Sequence, residues 1–314
     1  MKTWLIFAAK LIATLAILAF AIHTMDWHSL LMAVKQFQPW VIIVVTLILI
    51  AEIPVLGLRW AIIAGPRVVL PLAEHQRRYA VASFYNSFTP GQVGGDVYRF
   101  FAFREHFTEA RGELVALLLQ ERMIGFVTYC AGFLIGLGLS WAILPQDHAA
   151  QTNTLFLLGA ISLCFVLGAV LAPVFLALPI FRRMLGFSPK LVRLFDLLRL
   201  VFTFASAKQF FSIIALTVIA VAGWILALEL LAWQMDLRVP IALMLLLGTA
   251  TDLIRLVPIT VQGIGLREGA FAWLFGAFGY PPEQGFVLGA IGYACVSLAI
   301  LIAGVIGISL PKRG

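Results

Sequence analysis

SFTPGQVGGDVYR, Ser87 to Arg99, sets a proline, three glycines, an aspartate and an arginine into a very apolar chain. An apolar run precedes it over Tyr79–Phe88 and another follows over Val97–Phe103. Each is far shorter than the ~20 residues a helix needs to cross the hydrocarbon core. The reading that satisfies both facts is two half-helices joined by a glycine-rich turn, a hairpin that enters the membrane and leaves on the same side. Irregular backbone survives at that depth only where protein buries it or where it lines a wet cavity. Leu256–Glu268, LVPITVQGIGLRE, has the same character. The apolar segments that flank it, Pro240–Ile254 and Leu266–Phe278, are again too short to cross.

Hydrophobic residues make up 62% of the 314 and charged ones 12%, with a mean hydropathy of +1.02. A soluble domain of this length carries about twice that charge. The expected fold class is therefore an all-α polytopic membrane protein, a single transmembrane domain over residues 1–314. The long apolar runs lack the period-two alternation of a β-barrel. The net charge of +7 collects in a few loops, which points to membrane topology rather than to nucleic acid. Cys130, Cys164 and Cys295 lie far apart in apolar runs and read as packing residues. The five histidines have no ligand spacing, so neither a metal nor a cofactor is expected.

Six full spans are expected: Trp4–Ile22, Trp40–Ala64, Glu113–Leu144, Thr154–Ile180, Phe210–Trp233 and Glu283–Leu310. The first follows a lysine and ends without a cleavage site, so it reads as a retained helix. Between the fourth and fifth, Lys190, Arg193, Asp196 and Arg199 recur every three residues, opposite Leu191, Leu194, Phe195, Leu198 and Phe202. That pattern describes an amphipathic helix over residues 181–208, lying on the cytoplasmic membrane surface. With both hairpins re-entrant and both termini cytoplasmic, the basic loops fall inside and only Lys35 and Arg238 fall outside, as the charge rule requires. Residues 40–144 then read span, hairpin, span, with the hairpin entering from the cytoplasm. Residues 209–310 repeat that order in the opposite orientation. Inverted repeats with broken helices place substrate sites near the midplane, at the repeat interface.

The deep charges are Glu52, Arg59, Asp96, Arg99, Glu121, Arg122, Glu229, Asp252, Arg255, Arg267 and Glu268. Each costs several kcal/mol, roughly 2.5–3.5 on insertion scales, unless it is paired or wet. One reading is internal pairing that pins broken helices together. The other is a polar cavity for an anionic phosphate. Helices starting near Gly95 and Gly265 would aim their amino termini into it, where free N–H groups favour an anion. Gly94, Gly95, Gly263 and Gly265 would let a headgroup approach the backbone. Arginine offers a bidentate fork to phosphate oxygens, with Arg99 and Arg267 first and Arg122 and Arg255 next. Glu121 and Asp252 complete the candidate set with Asp96 and Glu268. The last two would hold the arginines, neutralise a cationic headgroup or carry a coupling proton.

TPGQVGGDVYR, ERMIGF at Glu121–Phe126 and VPITVQGIGLREGAF at Val257–Phe271 resemble the transmembrane region of lysylphosphatidylglycerol synthases. They resemble equally the wider flippase-like family of bacterial and archaeal membrane proteins. The resemblance covers about residues 40–310, in the family's order. It departs at Gln92 and at Ile259–Val261, where the family tends to small or glycine residues, which bears on the headgroup rather than on the fold. It implies the translocating part without the soluble synthase that follows in those enzymes. The implied protein sits in a prokaryotic inner membrane and is a flippase for an anionic or phosphate-containing (glyco)lipid. Its partners would be a membrane phospholipid or other lipid, with a second copy of the chain a candidate and nucleic acid excluded. The alternative is a secondary transporter of a small anionic or zwitterionic solute. An enzyme is not expected, because no serine, cysteine or histidine lies deep beside a base that could activate it.

Overall fold

Proline and glycine punctuate a chain that is otherwise helical. The structure, a computed structural model, describes residues 35, 37–89, 93–107, 110–143, 149–184, 187–255, 260 and 263–311. The expected span Trp4–Ile22 and much of both glycine turns lie outside them. In order, the helices are α1 (Pro39–Ala64), α2 (Leu72–Phe88), α3 (Gly94–Phe103), α4 (Arg111–Leu139), α5 (Ala149–Ala177) and α6 (Pro179–Met184). There follow α7 (Pro189–Val201), α8 (Ala207–Gln234), α9 (Ile241–Arg255), α10 (Leu266–Ala277) and α11 (Pro282–Ser309). No strand occurs among the described residues.

Five of these helices, α1, α4, α5, α8 and α11, are long and apolar enough to cross a membrane. They match the second to sixth expected spans. Pro39 opens α1 at a position where the missing N–H costs nothing, and Gly65 stops it with a φ of +61°. The Ser206 hydroxyl accepts from the Gln209 amide at 3.1 Å to start α8. The four helices that flank the glycine turns are too short to cross: α2 has 17 residues, α3 has 10, α9 has 15 and α10 has 12. The amphipathic segment differs from expectation. Instead of one helix over 181–208 there are two, because Pro189 cannot continue a helix and starts a new one at α7.

Two units emerge from who touches whom. The first is α1, α2, α3 and α4, and the second is α8, α9, α10 and α11. α1 packs on α8, α4 on α9, α2 on α11, α1 on α11 and α4 on α8. Within the units, α1 touches α2 and α4, α2 touches α3, and α3 touches α4, with matching pairs in the second unit. Exchanging the two units helix for helix leaves this set of contacts unchanged. The close approaches follow the same rule. A Cβ on Gly136 of α4 would lie 2.6 Å from the Leu246 amide nitrogen of α9. A Cβ on Gly304 of α11 would lie 2.5 Å from the Phe84 Cβ of α2. In lipid, helices associate by such small-residue packing, since burial of apolar surface drives little there. α5 belongs to neither unit and packs on α4, α6 and α7.

One carboxylate fastens the short helix α2 at its start. Glu74 is 1% exposed and takes the Arg77 Nε at 2.7 Å and the Arg78 Nε at 2.7 Å. Arg77 Nη1 donates onward to the Gly307 carbonyl of α11 at 3.2 Å, and Arg78 Nη1 donates to the Ala102 carbonyl of α3. The Arg77 hydrogen bond, joined by that of Arg78, outweighs burial and pulls the Glu74 carboxyl down to about 2. A lowered value means that the stabilisation is complete above the ordinary 4.5 and is lost as pH falls towards 2. The melting temperature of the detergent-solubilised protein should therefore drop through that window. Glu74→Gln should start lower and lack that part of the drop. Parallel melting profiles for the two proteins between those pH values would refute the assignment.

Candidate functional site

Arg59, in the second half of α1, has no acid within its own turn and finds one on α4. Its Nη2 donates to Glu121 Oε1 at 2.9 Å and its Nη1 to Thr217 Oγ1 of α8 at 3.1 Å. Glu121 is 3% exposed and takes Arg99 of α3 on its other oxygen. Arg99 Nη2 donates to Asp96 Oδ1 at 2.5 Å, one turn earlier. Asp96 Oδ2 in turn accepts from Arg122 Nε. Three arginines and two carboxylates thus form one chain through α1, α3, α4 and α8. The Arg99 guanidinium also lies 4.7 Å from the Trp60 ring centroid and 5.3 Å from that of Tyr79. Cation–π contacts of this kind strengthen where water is excluded.

A second cluster belongs to the other unit and to the middle of α1. The Arg267 guanidinium lies 3.8 Å from the Tyr293 ring centroid. The Tyr293 hydroxyl donates to Thr251 Oγ1 at 3.3 Å. Asp252 is 4% exposed and lines the cavity together with Glu52 of α1. Both clusters line one cavity of about 320 Å³. Every helix of the two units contributes to its wall, and among the described residues α5, α6 and α7 contribute nothing.

Six of the twelve candidate residues line this cavity: Asp96, Arg99, Glu121, Arg122, Asp252 and Arg267. Glu268 is buried beside it. Its Oε1 is 3.9 Å from Arg267 Nη2, and its Oε2 accepts from the Gly265 amide at 2.6 Å. Arg255 is the last residue of α9. Gly263 and Gly265 have φ of +77° and +85°, the left-handed region that only glycine occupies without strain. Gly94 and Gly95 start α3, and their amides donate to Thr89 Oγ1 at 2.8 Å and to Asn86 Oδ1 at 2.7 Å. The helix starts near both glycine turns therefore spend these N–H groups on side chains of their own hairpins. A Cβ on Gly95 would run into the Ala82 carbonyl and the Asn86 side chain, so Gly95 is where α2 and α3 meet closely.

The two best phosphate candidates from sequence are also the most enclosed. The Arg99 side chain is 6% exposed and both of its Nη atoms are held by carboxylates. The Arg267 side chain is 6% exposed. The Arg122 side chain is 38% exposed and faces the same cavity. Glu52, Arg59, Tyr79, Asn86, Thr217, Trp224 and Tyr293 join the lining without having been singled out as site residues. Glu52 and Arg59 did carry a signal, as deep charges seven residues apart on one helix face. Trp224 and Thr217 carried none.

No curated protein and no solved structure matches this chain. A family model does: the lysylphosphatidylglycerol synthase TM region matches residues 6–304. An all-helical architecture with five membrane-length helices agrees with that match. The chain belongs to the lysylphosphatidylglycerol synthase TM region family.

Proposed function

We propose that this chain translocates a phosphate-containing lipid between the leaflets of a prokaryotic inner membrane, with both termini in the cytoplasm and without catalysing a reaction. The observation that carries the reading is the cavity, whose wall takes charged or polar side chains from all eight helices of the two units. Family membership supports a lipid-related role. The reciprocal helix contacts support two units of one design. In this reading the units run in opposite directions, and α2–α3 and α9–α10 are re-entrant hairpins entering from opposite faces. Arg122, the most exposed of the lining arginines, meets the phosphate. Arg99, held on both sides, positions Asp96 and Glu121. The buried Nε groups of Arg59 and Arg99 have no hydrogen-bond partner among the described residues, which leaves donors for an anion that enters.

The test is reconstitution into liposomes with an acyl-labelled phospholipid and a reagent that quenches label in the outer leaflet. Protein-dependent loss of the protected fraction is expected. Vesicles in which the purified, monodisperse protein leaves that fraction untouched would overturn the reading. The inverted orientation has its own test. Val93, 51% exposed, and Ile264 flank the two glycine turns. Val93→Cys and Ile264→Cys, each without the native cysteines, should react with a membrane-impermeant thiol reagent from opposite faces. Reaction of both from one face would refute it.

A further inference from the structure

The charges around the cavity are separated. The cluster on α3, α4 and the second half of α1 sets three arginines against two carboxylates: Arg59, Arg99 and Arg122 against Asp96 and Glu121. The remaining lining charges set one arginine against two carboxylates: Arg267 against Glu52 and Asp252. Glu268 beside Arg267 adds a further acid at that end. Over the lining as a whole, four arginines meet four carboxylates. The wall is thus neutral in sum and dipolar in layout. Glu52 and Arg59 mark the two ends on a single helix, seven residues and about 10 Å of rise apart.

Glu52 is the exposed question at the acidic end. Its Oε1 is buried and has no hydrogen-bond partner among the described residues. The nearest cation on its own helix face, Arg59, is already shared between Glu121 and Thr217. Room for the carboxylate comes from Gly223 on α8, where a Cβ would lie 2.5 Å from Glu52 Oε1. A carboxylate at this depth costs free energy unless it takes up a proton or something pairs with it. A purely anionic ligand would leave that cost in place and add repulsion from Asp252. A ligand carrying its own positive group removes it.

We infer that Glu52, with Asp252, is the ammonium-recognising end of the cavity, and that the substrate headgroup is net neutral, with one phosphate at the arginine end and one primary ammonium at the Glu52 end. The inference rests on the lipid-translocating reading of the same cavity and names its substrate class. Such chemistry is offered by an ethanolamine-type phospholipid or by the same headgroup free in water. Glu52 sets specificity, and the arginine cluster sets the grip on phosphate.

The test uses phosphatidylglycerol vesicles, which supply phosphate without ammonium, holding a trace of acyl-labelled phosphatidylethanolamine or its N-acetylated form. The parent protein should translocate the free amine faster than the N-acetylated lipid, on the order of tenfold to a hundredfold, as a lost charged hydrogen bond implies. Glu52→Gln should remove that difference, and Glu52→Asp should keep most of it. Equal rates for the two lipids with the parent protein would overturn the inference, whether or not Glu52→Gln folds. If both rates still fall together in Arg122→Gln, the lipid-site reading survives that result. Movement of neither lipid by the parent would remove both. Soluble phosphoethanolamine is the last arm. Inhibition by it at the affinity of the lipid would keep the two-ended recognition and make the substrate a free solute.

Discussion

Glu121→Gln should be the most damaging single change in this protein. The glutamine keeps the size and removes the charge that Arg59 and Arg99 share. Both arginine side chains are at most 9% exposed, and the Arg99 guanidinium is stacked over Trp60 and Tyr79. Removing one partner from a buried ion pair costs about 3–5 kcal/mol, because the other charge stays behind unpaired. Here one substitution strips two arginines at once, of which Arg99 retains Asp96 and Arg59 retains only Thr217. The expected result is a severe loss of folded, monodisperse protein, with the melting temperature of any remainder far below the parent. Arg59→Met combined with Glu121→Gln should recover part of it, since the stranded charge nearest to solitude is gone. A Glu121→Gln protein that melts within a degree or two of the parent would show that the network is wet rather than buried.

The same network explains what could be read from the sequence and what could not. The five membrane-length helices follow from length and hydropathy, which are local properties. The four short helices follow from the same arithmetic applied to Pro90, Gly94 and Gly95, and to Pro258, Gly263 and Gly265. The charges were legible as a set, because burying any of them has a cost that demands a reason. Their pairing was not legible. Glu121 and Arg122 are neighbours in sequence, yet successive side chains on a helix point about 100° apart. Glu121 therefore meets Arg59 and Arg99, while Arg122 meets Asp96. Of the ion pairs in the cluster, Arg99–Asp96 alone joins residues one turn apart. The glycine turns misled in another way. Their helix starts looked like open anion cradles, but Asn86 and Thr89 occupy the amides of Gly95 and Gly94, and Glu268 that of Gly265. Nothing in SFTPGQVGG says that an asparagine nine residues earlier will fold back onto a glycine. Gly223 is the extreme case: one glycine in an apolar span whose use is visible only once Glu52 lies against it.

Arg122→Gln should separate function from folding. Arg122 is the member of the chain with a half-exposed side chain, and its Nε bond to Asp96 leaves the guanidinium at the cavity wall. Asp96 keeps Arg99 when Arg122 is removed, so no carboxylate is left buried alone. Exposed or half-exposed ion pairs contribute about 0–1 kcal/mol to stability, and the melting temperature should move by a few degrees at most. Transport should respond more strongly. A hydrogen bond to a charged group contributes roughly 1.5–3 kcal/mol, which corresponds to a tenfold to hundredfold loss of lipid translocation. Arg122→Lys should recover only part of the rate, because an ammonium keeps the charge but not the fork that matches two phosphate oxygens. The contrast with Glu121→Gln is the decisive feature. If the cavity binds phosphate at Arg122, the two adjacent substitutions fall on opposite sides of the line: one loses the fold, the other keeps the fold and loses the rate. An Arg122→Gln protein that translocates labelled phospholipid at the parent rate would reduce the cluster to an internal brace between α3 and α4. The lipid phosphate would then have to be met by Arg267, on the far wall of the same cavity, and Arg267→Gln would become the variant that loses the rate.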